Sequence, residues 1–156
     1  MDNNNGNDSD SGIDFEQLVR GIGDGVIVCD AAGAISFWND AATRIFGFTA
    51  ADALGQSLDM IIPERQRQRH WDGYNKTMAT GETRYGNDLL RVPALHKEGK
   101  PLSIAFTVAM LYKPDGQVSS IIAVVRDDTA RWSEERALRA RVRELEAAAR
   151  TEAATN

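Results

Sequence analysis

Residues 88–128 read DLLRVPALHKEGKPLSIAFTVAMLYKPDGQVSSIIAVVRDD. Two turn signals, HKEGK and KPDGQ, cut this stretch into three runs of strand length, and the later runs are rich in β-branched and aromatic residues. In the middle run Leu102, Ile104, Phe106, Val108 and Met110 occupy every second position, the period at which side chains of a strand share one face. The stretch therefore specifies a three-stranded antiparallel meander with an apolar face to bury. Pro93 cannot donate to a strand ladder, so the first of the three strands is an edge or carries a bulge. A sheet with one apolar face needs a cover, and the preceding residues must supply it.

They do so with short elements. IDFEQLVRGIG places Phe15, Leu18 and Val19 at helical spacing and stops at Gly21 and Gly23. GVIVCD and AISFWN are two β-rich runs separated by AAG, a hairpin whose turn Asp30 opens. NDAATRIFGF is a helix capped by Asn39 or Asp40, with Ile45 and Phe46 on its buried side. TAADALGQSLDMII continues as helical turns broken at Gly55. Pro63 then suits a helix start, and the helix has its firm stop at Gly81. From Asp128 the chain turns to strong helix formers, with Leu138, Val142, Leu145 and Ala149 in the spacing of a short coiled-coil seam. The seam is narrow for core burial, which favours a dimerising, signal-carrying helix over one docked on its own domain.

The expected architecture is α+β: a five-stranded antiparallel sheet with short helices on one face and a coiled-coil-like C-terminal helix. The expected boundaries are a disordered acidic tail over 1–12, a globular domain over 13–129 and the helix over 130–156. The net charge of −5 is carried by Asp2, Asp8, Asp10, Asp14 and Glu16, all near the N-terminus. The remainder is formally neutral, so no direct nucleic-acid face is indicated. No apolar run of about 18 residues is present to span a membrane, and the N-terminus lacks the pattern of a signal peptide, so the cytoplasm is the default location. The single cysteine, Cys29, rules out an internal disulfide and reads as a small core filler. GIGDG precedes a strand instead of opening a helix, and no serine has a nucleophile-elbow context, so neither a nucleotide fold nor an enzyme is expected.

Taken together, the DAAG hairpin, WNDAATRIFGF, ALGQSL, HKEGKPL, KPDGQV and the closing RDDT resemble the PAS sensory domain, over roughly residues 14–130. The resemblance implies a sheet core that holds a small molecule or nothing, and an RDDT segment that passes signals into the following helix. The seam, with the N-terminal helix around Phe15 and Leu18, points to a homodimer through the C-terminal and N-terminal helices, and such a module is expected to work through a separate or fused effector such as a kinase, regulator or transcription factor.

One histidine then asks for a role. In a helix from Pro63, His70, Tyr74 and Met78 share a face, with Trp71 beside them. Such a face suits a flat apolar macrocycle with imidazole as axial ligand, and equally an empty core with a satisfied histidine at its rim. IPERQRQRHWDGYNKTMATGETR resembles the corresponding helix of haem PAS domains in oxygen-sensing histidine kinases, and the spacing from His70 to Gly81 also matches haem PAS domains of gas-responsive phosphodiesterases. That resemblance implies haem b, His70 as iron ligand and sensing of a diatomic gas (O2, CO or NO) or of redox state. The expected lining is His70, Trp71, Tyr74, Met78, Arg91, Leu102, Ile104, Phe106, Ile122 and Val124. Arg91 lies one position from the arginine that contacts bound oxygen in such domains, so it reaches the pocket only if a bulge near Pro93 or Gly86 redirects it. His96, in a polar turn, is expected to face solvent. A cofactor-free dimerising PAS module, or one holding flavin stacked on Trp38 and Trp71, are the alternatives.

Overall fold

The computed structural model describes residues 12–83 and 87–155; the acidic tail expected at the N-terminus lies almost wholly outside the described residues. The elements run α1 (Phe15–Gly21), β1 (Gly25–Asp30), β2 (Ile35–Trp38), α2 (Asp40–Phe46), α3 (Ala50–Ala53), a 3-10 turn (Leu58–Met60), α4 (Glu64–Thr80), β3 (Leu90–Leu95), β4 (Pro101–Tyr112), β5 (Val118–Asp127) and α5 (Thr129–Thr155). The five strands form one antiparallel sheet in the order β2-β1-β5-β4-β3, so Pro93 does lie in an edge strand.

Local chemistry explains the boundaries. Asp30 turns the first hairpin by accepting from the Ala32 and Ala34 amides at 2.9 and 3.0 Å. Asn39 caps α2, and the chain leaves that helix at Gly47 with φ +81°. Thr49 and Asp52 close a capping box on α3. Helix α4 runs straight through Gly73 and ends only at Gly81, whose φ of +70° is unfavourable for a side-chain-bearing residue.

The core lies between one face of the sheet and α2, α3 and α4. Ile27, Cys29, Ile35, Trp38, Phe46, Leu102, Ile104, Ile121 and Val125 are all buried there. Trp38 is part of this core: its ring lies 5.6 Å from that of Phe46, and its indole N–H donates to Thr43 Oγ1 and to the Phe48 carbonyl, both at 3.1 Å. It is not free to stack on a ligand.

The two faces of the sheet differ. Cross-strand partners share a face, and the pairs Phe106–Val125, Val108–Ala123 and Met110–Ile121 all point toward the helices. Thr107–Val124 and Ala109–Ile122 therefore point the other way. Ile122 and Val124 consequently do not line the interior, contrary to the sequence expectation. The run SSIIAVV is apolar on both faces, so its alternation has no phase to read, whereas its register with β1 and β4 sets one. The outer face also carries Val26, Val28 and Phe37, and Arg20 from α1 lies 5.4 Å above the Phe37 ring.

Candidate functional site

Helix α4 presents His70, Trp71, Tyr74 and Met78 to the interior, as their helical spacing requires. Tyr74 and Trp71 are each anchored by the polar end. Tyr74 is buried, and its hydroxyl donates to the Asp30 carbonyl at the end of β1. Burial is the main reason its phenol titrates well above the usual range. Trp71 donates its indole N–H to Asp59 Oδ1 at 2.8 Å and packs its six-membered ring against Gly33 in the first hairpin. A Cβ on Gly33 would come within 2.6 Å of the indole, so only glycine fits beneath it.

His70 completes a triangle with these two rings, edge-on to Trp71 at 4.6 Å and tilted against Tyr74 at 6.0 Å, while Trp71 and Tyr74 meet edge-on at 5.2 Å. Its Nδ1 is buried and has no hydrogen-bond partner. Burial pushes its pKa below the ordinary value of 6.5, against a weaker opposing pull from the Asp59 carboxylate, so the ring is neutral at pH 7. Asp59 is engaged elsewhere, its Oδ1 accepting from Trp71 and lying 3.9 Å from Arg67 Nε. A neutral imidazole with an uncommitted buried nitrogen, framed by aromatic and thioether groups, is chemically able to ligate a metal centre or accept a proton from a guest.

The sheet contributes Leu102 and Ile104, both buried, and Phe106, packed against the same cluster. Met78, Met60 and Met110 also pack there. Arg91 does not join them. It pairs with Ala105, while Leu90 and Val92 pair with the inward residues Phe106 and Ile104. The ladder from Leu90 to Leu95 is unbroken, so no bulge at Pro93 turns Arg91 inward, and its side chain ends 3.5 Å from Asp128 on the outer face. Gly86, the other position able to redirect it, lies outside the described residues.

His96 also departs from expectation. Its side chain is only 13% exposed and packs on Gly47, where a Cβ would come within 2.5 Å of the imidazole. Its Nδ1 accepts from the Glu98 amide at 3.1 Å, so the turn folds over its own histidine. Cys29 is the expected filler: burial first, and then the neighbouring Asp30, pushes its thiol up to about 12. Among the described residues there is no cluster of three or more His, Cys, Asp or Glu suited to a bare metal ion, and no helix is long and apolar enough to cross a membrane.

Two surface grooves flank α4. One of about 650 Å³ is lined by Pro63, Glu64, Arg65, Pro93, Ala94, Leu95 and Pro101. The other, of about 430 Å³, lies over the first hairpin beside Trp71 and Asn75. Sequence reasoning missed Asp59, the residue that seats Trp71, and Asp128, which gathers Arg91 and Arg131. Asp59 shows no periodic signal. Asp128 was visible within RDDT, without any hint of its partners.

Comparison with known proteins agrees with this architecture. Residues 13–127 match the family model described as the PAS fold. An uncharacterised protein of Azorhizobium caulinodans is 37% identical over 116 residues, 74% of this chain and 16% of that protein. The sensor protein FixL of Bradyrhizobium diazoefficiens is 37% identical over 60 residues, 38% of this chain and 12% of FixL. The chain thus spans well under a fifth of these two curated relatives' length. The crystal structure of a PAS domain from Colwellia psychrerythraea superposes with a TM-score of 0.65 at 20% identity, covering 74% of this chain and 95% of that one. With the family model covering most of its length and the five-stranded sheet and helical cover in place, the chain belongs to the PAS fold family.

Proposed function

We propose that this PAS domain is the sensory module of a signalling protein, that it takes up haem b beneath α4 with His70 as the residue that would hold the iron, and that it responds to a diatomic gas or to redox state. The observation that carries the reading is the buried, unpartnered Nδ1 of His70. Buried polar atoms are nearly always paired, and one left over on the apolar face of a sensor is where a guest finds its donor. The donor set fits the group: one neutral imidazole, with Trp71, Tyr74 and Met78 on the helix and Leu102, Ile104 and Phe106 on the sheet. Haem, when bound, would supply an iron able to take up a gas or to change oxidation state. The protein's residues bind and orient it: His70 fixes the ring position, the apolar side chains exclude water, and Asp59 holds Trp71 in place. Tyr74 fills the middle of the face, so uptake requires α4 to move away from the sheet.

Output runs through α5. Leu138, Val142 and Leu145 are 67%, 52% and 54% exposed, and on α1 Phe15 and Leu18 are 66% and 52% exposed. These stripes suit a homodimer whose effector is fused or separate, in keeping with the small share of its relatives that the chain covers.

The same stripes support a second reading, a cofactor-free module that dimerises through α1, α5 and the outer sheet face. One experiment separates the two. Protein produced with ample haem supply shows a Soret band that His70→Ala abolishes or markedly shifts. A parent protein that takes up no haem leaves the dimerising module, and a band unchanged in the variant removes His70 from the site.

A further inference from the structure

Arg91 leaves β3 on the face of the sheet opposite α4, and its Nε lies 3.5 Å from Asp128 Oδ2. The Asp128 side chain is only 11% exposed, and a carboxylate so placed is costly unless paired. It has a cation on each side. Arg131 of α5 grips both oxygens through Nε at 2.8 and 2.9 Å, and Arg91 reaches it from the sheet edge. The ladder continues along the helix, from Arg131 Nη1 to Glu135 Oε2 at 2.8 Å and from Glu135 to Arg139. The backbone closes on the same point: the Asp128 amide donates to the Ser103 carbonyl at 2.8 Å, and the Ser103 amide donates to Thr129 Oγ1 at 3.0 Å.

The heptad pattern gives this cluster its meaning. Carried back by three and four residues from Leu138, the seam falls on Glu135 and Arg131. Positions that face the partner helix in a paired coil are thus occupied by Arg131, which Asp128 holds, and by Glu135, which Arg131 and Arg139 hold. Charged residues in a seam weaken pairing there, so α5 divides into a base tied to the sheet and a seam that begins at Leu138. Strand β3, which carries Arg91, is the strand that follows α4 in the chain.

We infer that Arg91 is a positioning residue for the output helix: by holding Asp128, and through it Arg131, it sets the direction in which α5 leaves the sheet. The inference rests on the reading of α5 as the output element. It needs no ligand, and it assigns Arg91 to the signal's exit instead of its entry.

The test is hydrogen exchange on the full chain. Arg91→Gln speeds exchange of the amides at the base of α5 by about two- to fivefold, the range expected for losing one partly exposed ion pair, while β1 and β5 amides keep their parent rates. Arg91→Lys, which keeps a cation, stays within about twofold of the parent. Base amides unchanged in Arg91→Gln, or a speed-up spread evenly over the sheet, overturn the assignment. A separate variant, Leu138→Asp with Leu145→Asp, tests the output reading by sedimentation. If it stays fully dimeric while Arg91→Gln still frees the base, the output reading fails and the tie stands; if it dissociates while Arg91→Gln changes nothing, the tie fails and the output reading stands.

Discussion

Asn39 and His70 are both polar side chains set against the apolar core, and the fold treats them in opposite ways. Asn39 is fully buried and completely bonded: Oδ1 accepts from the Val26 and Ala42 amides at 2.8 and 3.0 Å, and Nδ2 donates to the carbonyls of Val19 and Asp24 at 3.0 and 3.1 Å. One side chain thereby joins α1, β1 and α2. His70 has a buried nitrogen joined to nothing. A saturated buried polar group contributes specificity and rigidity; an unsatisfied one is a cost that the free protein carries until something else engages it. The difference marks Asn39 as scaffold and is what makes His70 the proposed site.

The strongest way to break that contrast is Asn39→Ala. It leaves two amides and two carbonyls without their partner and removes the cap of α2, so a loss of about 2–4 kcal/mol is expected from urea unfolding. Asn39→Asp should fall between the parent and the alanine variant if the cap dominates, because the acceptor stays and only the two donations go. An alanine variant within about 0.5 kcal/mol of the parent would mean that water replaces the side chain at little cost and that Asn39 is no scaffold.

How far each region could be read in advance follows from the same chemistry. The cap of α2 was legible to within one residue, Asn39 or Asp40, because capping is local: the residue type and the helix start sit side by side in NDAATRIF. The inward stripe of β4 was legible because five apolar residues alternate, and the α4 face because 70, 74 and 78 repeat at helical spacing. Failure came where tertiary register decides. Ile122 and Val124 were misassigned because β5 is apolar on both faces, and Arg91 because one residue of register reverses a side chain. His96 looked like an exposed turn residue because nothing local announces that Gly47, far away in sequence, makes room for its ring. The donations from Asn39 to α1 are likewise contacts between distant segments, invisible to a local pattern.

His70→Leu sharpens the comparison from the other side. Leucine is close to imidazole in size and has no nitrogen to leave unpaired, so the cofactor-free protein should gain about 1 kcal/mol, seen as a rise of a few degrees in Tm. The same variant should lose any haem uptake, the usual relation between a strained functional group and stability. A loss of stability in His70→Leu would show that the imidazole makes favourable bonds in solution and is no orphan.

The smallest effect is one of pH, and its sign follows from burial. The His70 pKa lies below the ordinary 6.5 in the folded protein, because burial disfavours the imidazolium more than Asp59 favours it. Above about pH 6.5 both folded and unfolded chains hold it neutral, and it imposes no pH dependence. As pH falls below that value the unfolded chain binds the proton first, so stability declines until the folded pKa is also passed. Asp128 acts in a separate and lower window. Its carboxyl lies below the ordinary 3.8, chiefly through its bond to Arg131, so its contribution is present above 3.8 and is lost as pH falls below it. Unfolding measured from pH 7.5 to 3 should therefore show a first decline below about pH 6.5 that His70→Leu removes, and a steeper one at the acid end that Asp128→Asn reduces while leaving the first intact. A first decline that persists in His70→Leu would assign it to another group, and the unpaired nitrogen would then be reached by water in the folded protein.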